Sequence, residues 1–134
     1  MNSKSLVTEV CNVMSKINGV TVTSEFPDRL QDLPLRNPFV SVGIKSINAE
    51  GIEGAKLTED FAPATVTLRL TVCVPKLMTG EKCMQVVDAI INSLRSMLQT
   101  HTILTIKANY TRYSAKLSAL VTDVDVKFYS TNAF

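Results

Sequence analysis

The sequence predicts an α+β fold, a mainly antiparallel sheet covered by two helices in the order α-β-β-β-α-β-β. Three observations carry that expectation. In Ala64–Val74, ATVTLRLTVCV, the aliphatics Val66, Leu68, Leu70, Val72 and Val74 alternate strictly with Thr65, Thr67, Arg69, Thr71 and Cys73. Successive strand side chains point to opposite sides, so this strand has one buried face and one polar face. After Pro75, the apolar positions Met84, Val87, Ile90, Ile91, Leu94, Met97 and Leu98 recur at three- and four-residue intervals, the period of an amphipathic helix, over Thr79 to Gln99. A third segment, Leu6, Val10, Met14 and Ile17 with Val7 and Cys11 beside them, repeats the helical stripe near the start of the chain. Two apolar helix faces and one apolar sheet face need each other, which segregates the helices to one side.

The elements follow in order. The first helix is expected over roughly residues 3 to 18, with Gly19 placed to adopt a left-handed C-terminal cap. Val20, Val22 and Phe26 then alternate with Thr21, Thr23 and Glu25 as a short strand that Pro27 ends. Pro38 releases a strand in which Val40, Val42 and Ile44 alternate with Ser41, Gly43 and Lys45, fading near Asn48. A long connection at 48–63 precedes the Thr-rich strand. It carries Glu50, Glu53, Glu59 and Asp60 against one Lys56, together with the apolar Ile52, Leu57 and Phe61. Connections of that length in a small domain are usually functional or disordered, and this one is expected to order on a partner. Beyond the second helix, Leu104, Ile106, Ala108 and Tyr110 alternate with polar residues up to a break at Ser114–Lys116. The final strand sets Leu120, Val124, Val126 and Phe128 against Asp123, Asp125, Lys127 and Tyr129.

At 134 residues and 46% hydrophobic content the chain suits one core, hence a single domain over 1–134. The formal net charge is only +2, with Lys and Arg scattered, which argues against a dedicated nucleic-acid binder. Cys11, Cys73 and Cys83 form no CxxC pair and their odd number argues against a disulfide framework, so a reducing cytoplasm is expected. Neither a secretory leader nor a membrane span is read from the sequence.

Chemistry-bearing residues are sparse, and no enzyme is expected. His101 is the single histidine and lies at the junction after the second helix, where a polar ring near the carbonyl end is a structural feature. Cys83 falls in the first turn of the second helix, where a thiol pKa can be depressed, yet it and Cys73 read as small half-buried residues. Asp123 and Asp125 share a strand face and so offer two carboxylates, but a third acidic ligand is missing and a solvated outer face is the simpler reading. The segment Thr79-Gly80-Glu81-Lys82 lacks the spacing of a phosphate loop and reads as a helix start with Thr79 as N-cap. No catalytic residue, metal ligand or cofactor site is assigned.

Five segments together carry a resemblance: the opening helix ending MSKINGV, LPLRNPFVSVGIKSI leading into the acidic loop, the strand VTLRLTVCVP, the helix VVDAIINSLRSML, and the closing strand pair ending VDVKFYS. Over nearly its whole length the chain resembles the tail terminator (tail completion) proteins of tailed bacteriophages, of the contractile-tail type from Gram-positive hosts. The resemblance implies a structural subunit of the virion tail or neck, assembled in the host cytoplasm, that forms a hexameric ring at the head-proximal end of the tail tube. Such a ring stops tube growth, anchors sheath and joins the neck. Its partners would be copies of itself and the tube, sheath and neck or connector proteins, with DNA passing transiently through the lumen and no membrane involved. On that reading Glu50, Glu53, Leu57, Glu59, Asp60 and Phe61 meet a neighbouring subunit or the tube, and Thr65, Thr67, Arg69 and Thr71 face a lumen or an interface. The alternatives are a head-tail connector or other neck protein and, from a different class, a small ligand-binding or enzymatic α+β domain.

Overall fold

The computed structural model describes residues 3–24, 37–49, 63–78, 80–116 and 118–130. The fold is α+β, as the patterning predicts. Helix α1 (Ser3–Met14) leads to strand β1 (Thr21–Ser24), then β2 (Phe39–Ala49) and β3 (Ala64–Pro75), helix α2 (Gly80–Leu94) with a 3₁₀ turn over Arg95–Gln99, and strands β4 (Thr102–Ala108), β5 (Arg112–Ser114) and β6 (Ala119–Ser130). One six-stranded sheet runs in the order β1-β2-β3-β6-β4, with β5 also on β6. Among the described strands, only the β1–β2 pair is parallel. No described helix is long and apolar enough to cross a membrane.

The strict alternation in β3 fixes the layers. Val66, Leu68, Leu70, Val72 and Val74 are all fully buried, and they share one core with Val40 and Val42 of β2, Val124, Val126 and Phe128 of β6, and both helices. From α1 the core takes Leu6, Val7, Val10 and Met14, and from the α2 region Cys83, Val86, Val87, Ile90, Leu94 and Met97. The helices do not reach the whole face. At the far end of β2, Ile44 and Ile47 point to the same side but remain 45% and 54% exposed.

Several boundaries and phases differ from expectation. α1 stops at Met14, and the chain reaches Gly19 through turns closed by Ser15 N–H on the Cys11 carbonyl and Ile17 N–H on the Met14 carbonyl. Gly19 does take the left-handed conformation, with φ 78°, which a side chain would strain. In α2 the buried stripe runs through Cys83 and Val86 rather than Met84, and the 3₁₀ turn changes the phase so that Met97 is buried while Leu98 is exposed. In β4 a register shift between Ile103 and Thr105 puts Ile103 against the core and leaves Leu104 about half exposed. One extra residue flips all that precedes it, which alternation alone cannot show. The break expected at Ser114–Lys116 is a turn between β5 and β6, with Ser118 at φ 48°. β4 and β5 lie end to end along one side of β6, antiparallel to it, separated by a bulged stretch at Asn109–Thr111. Asn109 anchors that stretch, its backbone N–H and its side-chain amide both donating to the Asp123 carbonyl.

Candidate functional site

The side of the sheet opposite the helix-packed core gathers the polar residues. On β3 this is the row Thr65, Thr67, Arg69 and Thr71, each half-buried. Pairing with β6 sets Tyr129 beside Thr65, Lys127 beside Thr67, Asp125 beside Arg69 and Asp123 beside Thr71. The two carboxylates are therefore strapped to the neighbouring strands. The Arg69 guanidinium donates from Nε to Asp125 Oδ1 at 2.9 Å and from Nη2 to Oδ2 at 3.2 Å, a two-pronged contact, and Lys45 Nζ of β2 reaches Oδ2 at 3.0 Å. Asp123 accepts from Thr71 Oγ1 at 3.1 Å and from Arg112 of β5 at 2.9 Å.

These contacts set the electrostatics. The Asp125 carboxyl is held at about 2, below its ordinary 3.8, first by the hydrogen bond from Arg69 and then by Lys45, against the cost of partial burial. The same bond raises the Arg69 pKa. Both acids are thus committed to ion pairs, which removes the picture of two free carboxylates awaiting a cation. Nor is this face poor in charge. With Lys107 aligned on Asp125 and Lys127 on Thr67, the described face carries five cations, Lys45, Arg69, Lys107, Arg112 and Lys127, against Asp123 and Asp125.

Cys73 belongs to the same face by alternation but is fully buried, in a small second apolar cluster with Phe39, Ala119 and Val121. Burial, and after it the charge of Asp123, pushes its thiol up to about 11. Cys83 is also buried, with Sγ 3.2 Å from Thr122 Oγ1, and Thr122 in turn bonds Thr111 at 2.8 Å, which ties α2 through β6 to the bulge. Neither environment activates a nucleophile, since both sulfurs are enclosed and burial keeps Cys73 a thiol. His101 is more enclosed than a helix-end residue need be. Its side chain is 8% exposed, lies edge-on to Phe128 with centroids 6.0 Å apart, and places Nε2 2.9 Å from Glu9 Oε2 of α1. It joins the first helix to the start of β4.

A groove of about 830 Å³ opens where β1 stops pairing with β2. It is lined, among the described residues, by Lys4 and Thr8 of α1, Ser24, the Ser41–Lys45 stretch of β2, and Arg69. No group of three His, Cys, Asp or Glu side chains among the described residues is placed to hold a metal ion.

The loop positions Glu50, Glu53, Leu57, Glu59, Asp60 and Phe61, and the cap position Thr79, lie outside the described residues. The structure brings Arg69 and Thr71 together with Asp125 and Asp123, whereas Thr65 and Thr67 continue the row beside Tyr129 and Lys127. Sequence reading missed Lys45 and Arg112 as partners in this network. The signal for Arg69 was its isolation as one cation in a threonine row, which asks for an acid on the adjacent strand. No protein-family model matches the chain, and no curated protein is significantly similar to it.

Proposed function

We propose that the chain is a structural, non-enzymatic subunit that assembles into a ring capping the head-proximal end of a phage or phage-like contractile tail. The observation that carries this reading is the sheet itself. Both helices pack on one side, leaving the row Thr65, Thr67, Arg69 and Thr71 on the other, in an element order that accompanies the sequence resemblance over nearly the whole chain. In this reading that face lines a lumen or an interface. Pairing of Arg69 and Lys45 with Asp125, and of Arg112 with Asp123, neutralises part of its charge, so that phosphates meet a weaker grip than five free cations would offer. The acidic segment with Glu50, Glu53, Leu57, Glu59, Asp60 and Phe61 serves as the contact to a neighbour or the tube.

The test is complementation of a deletion strain, scored in micrographs by tail length and sheath attachment. Charge reversal at Glu59 and Asp60 together is expected to impair tails by setting like charges in a contact, while His101→Gln, which can keep a hydrogen bond to Glu9, is expected to support them. Normal tails from the loop variant and failed tails from the histidine variant would overturn the assignment. The 830 Å³ groove with Lys4, Lys45 and Arg69 at its wall favours one other reading, a domain that binds a small anion. A purified protein that stays monomeric and whose melting temperature rises with small anions would select it.

A further inference from the structure

Among the described residues, two stretches of sheet edge have no strand beside them at the same level of the molecule. β1 pairs with β2 only through Phe39–Val42, so no described strand pairs with the outer side of β2 from Gly43 to Ala49. Residues 44–49 are all exposed. On the opposite margin no described strand pairs with the outer side of β4, Thr102–Ala108. The registers align these edges across four strands. Gly43 lies level with Arg69, Asp125 and Lys107, and Ser46 with Thr67, Lys127 and Thr105. Both stretches are seven residues long, and because each of the three intervening pairings is antiparallel, β2 and β4 run in opposite directions.

We propose that these two edges are the mating surfaces of successive copies of this chain, β4 of one subunit adding antiparallel to β2 of the next so that the sheet continues across the boundary. The proposal rests on the ring reading above and supplies its contact. Polarity permits it, since a copy in the same orientation presents an up-running β2 to a down-running β4. Apolar surface favours it. On the helix side, level pairing sets the exposed Ile44 beside Ile106 and the exposed Ile47 near Ile103, joining an uncovered patch to half-buried residues at the core margin. On the other side Lys107 meets Gly43, so no two like charges stand directly opposed. Space is present as well, because the groove at the end of β1 runs beside Gly43, Ile44 and Lys45. An edge of this length that no described strand covers, with exposed isoleucines, is a hazard for a lone subunit, and a head-to-tail contact that closes on itself removes it.

Disulfide trapping tests this. In a Cys11→Ser background, Ser46→Cys and Thr105→Cys stand three strand spacings apart within one chain, about 14 Å, too far to bridge. Oxidation of the double variant is expected to give a ladder of covalent oligomers ending at the ring size seen by electron microscopy, while each single variant runs as monomer. Gly43→Cys and Asn48→Cys, each combined with Thr105→Cys, cover a register displaced along the edge. Rings that form without any of these cross-links would remove the edge pairing and leave the ring reading standing, whereas a wild-type protein that forms no rings, together with variants that give no cross-links, would remove both. Ile47→Lys provides a second readout. Its side chain is solvent-exposed in the subunit, so the variant should melt within a few degrees of wild type yet lose the rings. Rings at wild-type yield from Ile47→Lys would also overturn the pairing.

Discussion

At the scale of single residues, Asp125 is the side chain whose environment makes the clearest claim. Its folded carboxyl titrates at about 2 against an ordinary 3.8. The folded state therefore binds that proton more weakly than the unfolded state, so the stabilisation is complete above about pH 4 and is lost as pH falls toward 2. Arg69 and Lys45 are 39% and 44% exposed, so solvent screening reduces the contribution to the order of 1 kcal/mol. Denaturant unfolding at pH 7 and pH 2.5 should show Asp125→Asn less stable than wild type at the higher pH, with the deficit cut to a fraction of that at the lower. Equal deficits at both would mean the charge is not the cause. Thiol chemistry gives a second expectation. With Cys73 and Cys83 buried and Cys11 half-buried, a thiol reagent at pH 8 should modify Cys11 first and reach the other two only on unfolding. Rapid modification of Cys73 in the folded protein would contradict its enclosure. The lone cation of the threonine row asked for an acid, but which acid was not legible in the sequence, because Asp125 stands 56 residues from Arg69 and 80 from Lys45, and only strand pairing joins them.

At the scale of elements, β3 and α2 were legible because their side-chain periods are regular over eleven or more residues. Leu70 and Ile90, central in their rows, are both fully buried in the common core. Truncating either to Ala should cost about 2–5 kcal/mol, read from denaturant unfolding of the soluble subunit. Losses under about 0.5 kcal/mol for both would mean the core is assembled differently. What escaped reading was phase. The extra residue at Leu104 inverts the start of β4, the 3₁₀ turn moves Leu98 out of the stripe, and β5 is three residues long, shorter than alternation can signal. The link between α1 and β4 escaped too, since Glu9 and His101 are 92 positions apart. A double-mutant cycle with Glu9→Ala and His101→Ala should return a coupling between these positions of about 0.5–1.5 kcal/mol. Strict additivity would reduce the contact to incidental proximity.

At the scale of the whole molecule, the alternating rows of β2, β3 and β6 were enough to place the layers, while the pairing order β1-β2-β3-β6-β4 emerges only in three dimensions. That order makes β6 the hub. It pairs with β3 along its full length and with β4 and β5 on its other side, and it follows every one of those strands in the chain. During synthesis β3 therefore leaves the ribosome with one flank open, and β4 and β5 emerge with no strand to join, until Ala119–Ser130 has been made. Pairings of such high sequence separation are slow to form, and here they are also last to become possible. Nascent chains arrested before Ala119 should be digested readily by protease and those arrested well beyond Ser130 should resist. Protection appearing earlier would mean that the first three strands and two helices are stable without the hub. The arrangement makes the synthesis of β6 a checkpoint, since a product cut short before it would lack the strand that joins β3, β4 and β5 and would be open to degradation instead of persisting as a defective subunit.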